Sequence, residues 1–328
     1  MEYLAEYGLF FAKLITILVV LLLVAGGIFI ISIRSKAGMD GHLEIKNLNQ
    51  KFENMNLLLK SQILPKKEFK KSVKSLKEEH KKKEKSDEIR KRIFVLGFKG
   101  DIKASDVSSL REEISALLTF ATGKDEIVVL LESAGGTVHG YGLAASQLKR
   151  IRDKNIYLTV AVDKVAASGG YMMACVADKI IAAPFAIIGS IGVLTQIPNF
   201  HRLLKKHNVD FEQITAGQYK RTLTLFGENT DQDREKVQEE LEETHQLFKD
   251  FIKENRNEID IEKIATGEHW YGSQAIDLKL VDELKTSDDY LSEAVTHADI
   301  YEIQYIRKKP MSEKIISFGA KLLEQIQS

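Results

Sequence analysis

The sequence predicts an α/β fold with mostly parallel strands, and three observations predict it. Continuous apolar runs such as Ile127-Val128-Val129-Leu130-Leu131 have the character of strands buried on both faces. Such runs are followed by glycine-rich turns and then by segments with helical periodicity. The strand, turn, helix unit repeats, which is the arrangement of parallel sheets and places functional groups at the carboxyl ends of strands. The chain has 328 residues, 44% of them hydrophobic, with 47 basic and 47 acidic side chains. One large domain with appendages fits that length. The balanced charge gives no whole-chain argument for nucleic acid.

Taken in order, the first feature is Leu14 to Ile33, 20 residues without a charge. That is the length of a bilayer-spanning helix. It is longer than the apolar core of a cleaved signal peptide and lacks a small-residue cleavage site. Residues 1–36 are therefore expected to form a retained membrane anchor. Residues 37–92 read as a charged linker or helical region. Leu48, Phe52, Met55, Leu58 and Leu59 recur at loosely helical spacing, and Lys66 to Arg92 holds 13 basic against 6 acidic side chains. So polar a stretch cannot form a core alone. A solvated helix or tether fits it, and so does contact with anionic lipid headgroups. No interleaved aromatic residues or recognisable module point to nucleic acid.

The compact domain is expected over 93–300. Arg92 to Phe98 reads as a strand, and Ala104 to Ala121 as a helix with Val107, Leu110, Ile114, Leu117 and Leu118 on one face. The strand at Ile127 to Leu131 breaks at Glu132 to Val138, before a helix from His139 to Arg152. A strand at Ile156 to Val162 precedes the Ser168 turn and a small-residue helix to Ala177. Lys179 to Ala183 and Ala186 to Leu194 are strand-like, Asn199 to His207 a short helix, Phe211 to Thr215 a strand, and Asp231 to Asn255 a long charged helix. Ile180 to Pro198 is uncharged, but Pro184, Gly189, Gly192 and Pro198 interrupt it. Two short buried strands fit better there than a second span. Residues 301–328 read as a strand and an amphipathic helix through Ile315, Phe318, Leu322, Leu323 and Ile326, suited to packing on a neighbouring subunit.

Chemistry concentrates at Ser168, between Ala166-Ala167 and Gly169-Gly170. Small neighbours let a substrate approach, and Gly169 permits a tight turn with an inward N–H. A nucleophile beside a backbone oxyanion donor fits this stretch. A helix N-cap fits it more simply. Ser133-Ala134-Gly135-Gly136 forms a second such turn. Two glycine turns on adjacent strands would surround one developing negative charge with N–H groups. A phosphate cradle would compete, but neither GxGxxG nor GxxxxGK[ST] occurs. His139, His201, His207, His245 and His269 have no evident aspartate orienter, so no Ser-His-Asp triad is readable. A lysine base must be neutral, which burial or a nearby donor can arrange. Lys220 follows the turn Ala216-Gly217-Gln218-Tyr219, although taken alone it is more often a surface residue. Cys175 is the single cysteine, which excludes an intramolecular disulfide and suits core packing.

The ordered set GFKGDI (97–102), LLESAGGTVHGYG (130–142), VDKVAASGGYMMACVADKIIA (162–182), GSIGV (189–193), AGQYKRTLTLF (216–226) and ATGEHWYGSQAIDLKLVDEL (265–284) resembles the protease IV, or signal peptide peptidase, family, within it the SohB-like membrane protease branch. The resemblance runs from the N-terminal anchor to about residue 300. It implies a ClpP/crotonase-type α/β fold and a serine endopeptidase with a Ser-Lys dyad. Carried over, Ser168 matches the nucleophile, Lys220 the general base, and Ser190 the hydroxyl that orients the lysine. The Gly169 N–H, with one from the Gly135-Gly136 turn, matches the oxyanion hole. The family turn reads Ser-Pro-Gly-Gly; here Ala134 replaces the proline and both glycines remain.

The resemblance further implies peptide or membrane-associated polypeptide substrates, no metal or cofactor, and contact with membrane lipid. It implies a homo-oligomeric ring in which the serine and lysine of one site come from neighbouring protomers. The location expected is the bacterial cytoplasmic membrane, crossed once. Lys13 on one flank against Arg34, Lys36, Lys46 and Lys51 on the other favours a cytoplasmic body. The family places the catalytic domain outside the cytoplasm, and that is the side expected here. Two other readings share the fold: a crotonase-like acyl-thioester enzyme, which needs no serine nucleophile, and a non-catalytic membrane scaffold.

Overall fold

The computed structural model describes residues 8, 10, 11, 13–22, 41–84 and 90–307. The chain divides into two units, Ile45–Gln304 and Met1–Glu44 with Tyr305–Ser328. In the smaller unit residues 13–22 are helical, and the Gly41 N–H donates to the Tyr305 hydroxyl at 2.9 Å. Of the anchor expected at Leu14 to Ile33, residues 23–33 lie outside the described residues. The tail helix expected over Met311 to Ser328 lies outside them too. Among the described residues no helix is long and apolar enough to cross a membrane.

The elements run β1 (His42–Asn47), α1 (Leu48–Ile63), α2 (Lys66–Glu84), β2 (Lys91–Gly100), α3 (Val107–Leu117), β3 (Glu126–Ser133), α4 (Val138–Arg152), β4 (Tyr157–Val162), β5 (Val165–Ala167), α5 (Gly169–Ala174), β6 (Lys179–Ala182), β7 (Ile187–Gly189), α6 (His201–Lys206), α7 (Asp231–Asn255), α8 (Ile261–Ile264), β8 (His269–Tyr271), α9 (Gly272–Ala275), β9 (Glu283–Leu284), α10 (Ser287–Ala294) and β10 (Ala298–Ile306). Local chemistry sets several boundaries. The Asn47 side chain accepts the Gln50 N–H and starts α1. Thr230 and Asp233 form a reciprocal capping box at the start of α7. The charged stretch from Lys66 is helical as far as Glu84.

Within the larger unit the sheet order is β10-β2-β3-β4-β6-β9, and these pairs are parallel. β5 pairs with β3 and β7 in parallel, and β7 pairs with β8 antiparallel, so the sheet is mixed. Both faces are covered. Phe94, Leu96, Phe98, Val129 and Leu131 enter a core with α3, α4 and α5. Ile93, Val95, Val128 and Ile181 enter a second core with Leu48, Leu291 and Ile300. Period-two alternation therefore sends neighbours into different cores, which is why β2 and β3 read as unbroken apolar runs.

Two readings change, and a third, for residues 180–198, is met. β5 is a separate three-residue strand, where the sequence predicts only a turn between Val162 and Ser168. Residues 211–215 form no strand. No neighbouring strand reaches that segment; Phe211 instead packs on Phe226, ring centroids 5.8 Å apart, while Ile214 is 95% exposed. The uncharged stretch from Ile180 to Pro198 is β6, a turn, β7 and extended backbone, not a helix.

An ion pair between a half-buried arginine and a buried aspartate ties β2 to the loop before β3. Asp125, with a side chain only 3% exposed, accepts two 2.7 Å bonds from the Arg92 guanidinium and further bonds from the Thr122 N–H and hydroxyl. Burial opposes the charged carboxylate, but the Arg92 and Thr122 donors outweigh it and hold the carboxyl below its ordinary range. Asp125→Asn is expected to cost about 3 kcal/mol in urea unfolding at neutral pH, because Arg92 loses its partner. A depressed folded pKa adds stability above the unfolded value, about 3.9, and loses it as pH falls through the folded value. The gap between wild type and Asp125→Asn should therefore close in acid.

Candidate active site

The site is built where β3 changes partner. Leu130 pairs with Ala161 of β4, whereas Ser133 pairs with Ala166 of β5. That hand-over brings the turn after β3, Ala134 to Gly136, beside the turn after β5, at Ser168. A Cβ placed on Gly135 would lie 2.8 Å from both the Gly169 nitrogen and the Ser168 Cβ. Only glycine tolerates that approach, and Gly135 also takes φ +90°.

Ser168 has φ +52° and ψ −119°, outside the wells a serine favours. Such a backbone costs about 1–3 kcal/mol and persists only where its surroundings fix it. Here the Ser168 N–H donates to the Gly189 carbonyl at 2.7 Å, and its carbonyl accepts from the Met172 N–H at 3.0 Å. Ser168 occupies the N-cap position of α5, yet its side chain makes no capping hydrogen bond. The half-buried hydroxyl is thus not spent on starting a helix.

Ser190 repeats the conformation with φ +52°, and its N–H donates to the Glu268 carbonyl at 2.7 Å. Ser168, Ser190, Gly135, Gly136 and Gly169 all line one cavity of about 930 Å³. Among the described residues, neither the Gly136 nor the Gly169 N–H has a hydrogen-bond partner. The Gly135 N–H does: it donates to Ser133 Oγ at 3.1 Å.

Lys220 stands elsewhere. Its N–H closes a turn onto the Gly217 carbonyl at 3.1 Å, its residue is exposed, and it is not among the residues lining the cavity. His139 is exposed on the first turn of α4, and among the described residues no histidine lines the cavity. Cys175 is fully buried, and burial pushes its thiol well above the ordinary range, so it packs as a small apolar group.

Two family models match successive parts of this chain. Residues 2–148 match the N-terminal part of peptidase family S49, and residues 150–301 match peptidase family S49 itself. The chain belongs to peptidase family S49. It is 52% identical over 326 residues to the probable protease SohB of Haemophilus influenzae, covering 95% of this chain and 92% of that one. It is 48% identical over 304 residues to the probable protease SohB of Buchnera aphidicola from Schlechtendalia chinensis, covering 89% of this chain and 99% of that one. Among solved structures, a 1510-N membrane-bound stomatin-specific protease aligns with 14% identity and a TM-score of 0.42, over 70% of this chain and 98% of that one. S49 membership makes the chain a peptidase.

Sequence reasoning missed part of this S49 cavity. One wall is a face of α7, where Thr244, Leu247, Phe248 and Phe251 recur at i, i+3, i+4 and i+7. Their spacing was visible, but nothing local indicated that the face turns toward Ser168. Tyr141 was missed as well. It is fully buried, and its hydroxyl donates to the Asp101 carbonyl at 2.8 Å and meets Ser133 Oγ at 2.5 Å. Burial raises its pKa and keeps the hydroxyl protonated.

Proposed function

We propose that the chain is a serine endopeptidase with a Ser-Lys dyad, anchored in the bacterial cytoplasmic membrane. Residues 1–36 are the anchor, 37–92 the charged region, 93–300 the protease domain and 301–328 a C-terminal strand and helix. The observation that carries the chemistry is Ser168: a strained serine with an uncapped hydroxyl, in a cavity beside two unpartnered backbone N–H groups. Ser168 attacks a peptide carbonyl while Lys220 accepts its proton. Ser190 orients the lysine. The Gly169 and Gly136 N–H groups hold the tetrahedral oxyanion; Gly136 takes this role because the Gly135 N–H is committed to Ser133. Lys220 then protonates the leaving amine, and water releases the acyl group. No step needs a metal or cofactor.

Lys220 is on an exposed segment and does not line the cavity of its own chain, which supports a ring in which each site takes its lysine from the neighbouring protomer. Substrates are peptides or membrane-associated polypeptides bound as extended strands. The catalytic domain is placed outside the cytoplasm. A serine-reactive covalent probe tests the reading. Full-length protein is expected to label at Ser168. A folded, oligomeric chain that never labels would instead fit a scaffold, and tight coenzyme A binding would fit an acyl-thioester enzyme.

A further inference from the structure

Tyr141 touches one half of the proposed oxyanion hole and reaches the turn that carries the other half through Ser133. On one side its ring lies directly beneath the Gly169 backbone. A Cβ added at Gly169 would overlap the ring at Cγ and lie 2.7 Å from the Tyr141 Cβ. On the other side its hydroxyl closes a chain of hydrogen bonds. The Tyr141 O–H donates to the Asp101 carbonyl, so the Ser133 hydroxyl donates to Tyr141, and Ser133 Oγ in turn accepts the Gly135 N–H. These bonds measure 2.8, 2.5 and 3.1 Å. Gly100 completes the enclosure, since a Cβ there would overlap both the Tyr141 hydroxyl and Ser133 Oγ. Tyr141 and Ser133 are 0% and 2% exposed, so water does not compete for these bonds.

The geometry points to Tyr141 as a positioning residue that sets the spacing between the two oxyanion donors, one through its ring and the other through Ser133. This rests on the serine-peptidase reading above. The turn after β3 and the turn after β5 belong to different strands and share one backbone pairing at Ser133 and Ala166. A single rigid side chain spanning both holds the Gly136 and Gly169 N–H groups in register. The Gly135 N–H lies in the peptide plane joining Ala134 to Gly135, so its bond to Ser133 fixes that plane, and the next plane, which carries the Gly136 N–H, is attached to it through Gly135 at φ +90°. Donors of this kind act on charge that develops in the transition state, so their misplacement appears in kcat more than in KM.

The test uses the full-length chain with Tyr141→Phe, which keeps the ring, Ser133→Ala, and the two combined. Readouts are kcat and KM on a fluorogenic peptide, the covalent labelling rate at Ser168, and the thermal midpoint. Each single variant is expected to lower kcat by roughly 10- to 100-fold, with KM changed by no more than about twofold. The double variant should be no slower than the slower single one, because both changes break one relay. The pH profile should keep its shape, since neither residue exchanges protons with substrate. A Tyr141→Phe chain with kcat within about twofold of wild type overturns the inference, as does a loss confined to KM or multiplicative losses in the double variant. If Tyr141→Phe does not fold, Ser133→Ala decides by the same kcat criterion. Wild-type protein that neither labels nor hydrolyses peptide overturns the serine-peptidase reading itself. Labelled wild type with unaffected variants overturns only the positioning role.

Discussion

Ser168→Ala is expected to lower peptide hydrolysis by a factor of about 10⁴ or more, and Lys220→Ala to do the same, because nucleophile and base act as a unit. Neither loss should come from unfolding. Ser168 caps nothing with its side chain, and Lys220 is exposed in a turn. Relief of the φ +52° backbone is not expected either, since alanine meets the same steric limits as serine. The two inactive proteins should nevertheless complement. In a ring that shares sites, a Lys220→Ala protomer still offers Ser168, and its Ser168→Ala neighbour still offers Lys220. Mixed rings should regain a measurable fraction of wild-type activity. If mixed rings form and stay inactive, serine and lysine belong to one protomer, and the segment around Lys220 must fold back onto its own cavity.

Gly169→Ala should damage stability and chemistry together. The three nearest atoms to the added Cβ all belong to Tyr141, a fully buried side chain held by Asp101 and Ser133. Overpacking of that kind costs about 1–3 kcal/mol, read as a lower urea midpoint with unchanged slope. Moving the Gly169 N–H away from the oxyanion adds a loss of about 10²–10³ in kcat. Gly142→Ala is the contrast. Gly142 lies in α4 with nothing within 4 Å of its added Cβ. Alanine there should raise stability by about 0.5–1 kcal/mol through helix propensity. If the two glycines respond alike in stability, Tyr141 yields freely and does not hold Gly169.

Much of the fold was legible because its signals are local. The apolar runs at Ile93 to Leu96 and Ile127 to Leu131 mark strands covered on both faces, and the periodicity of Val107 to Leu117 marks a helix with one buried face. The proline and glycine interruptions at Pro184, Gly189 and Gly192 correctly excluded a long helix. β5 escaped because a three-residue strand has no period to read. The strand expected at Phe211 to Thr215 failed because strand character without a neighbouring strand has nothing to pair with; an aromatic contact with Phe226 took its place.

The chemistry available is written in the order of residues: a serine among small residues, two glycine turns at strand ends, no cysteine pair, and a lysine after a turn. Residue identity and spacing settle such matters because glycine, serine and lysine carry their backbone freedom and functional groups wherever they stand. Which of these groups meet is set by the folded chain. The switch of β3 from β4 to β5 brought Gly135 against Ser168, Ser133 claimed the Gly135 N–H, and Tyr141 filled the space beneath Gly169. Apart from the bond between Gly135 and Ser133, these contacts join residues far apart in the chain. They follow from strand pairing and close packing, which no local window of sequence contains.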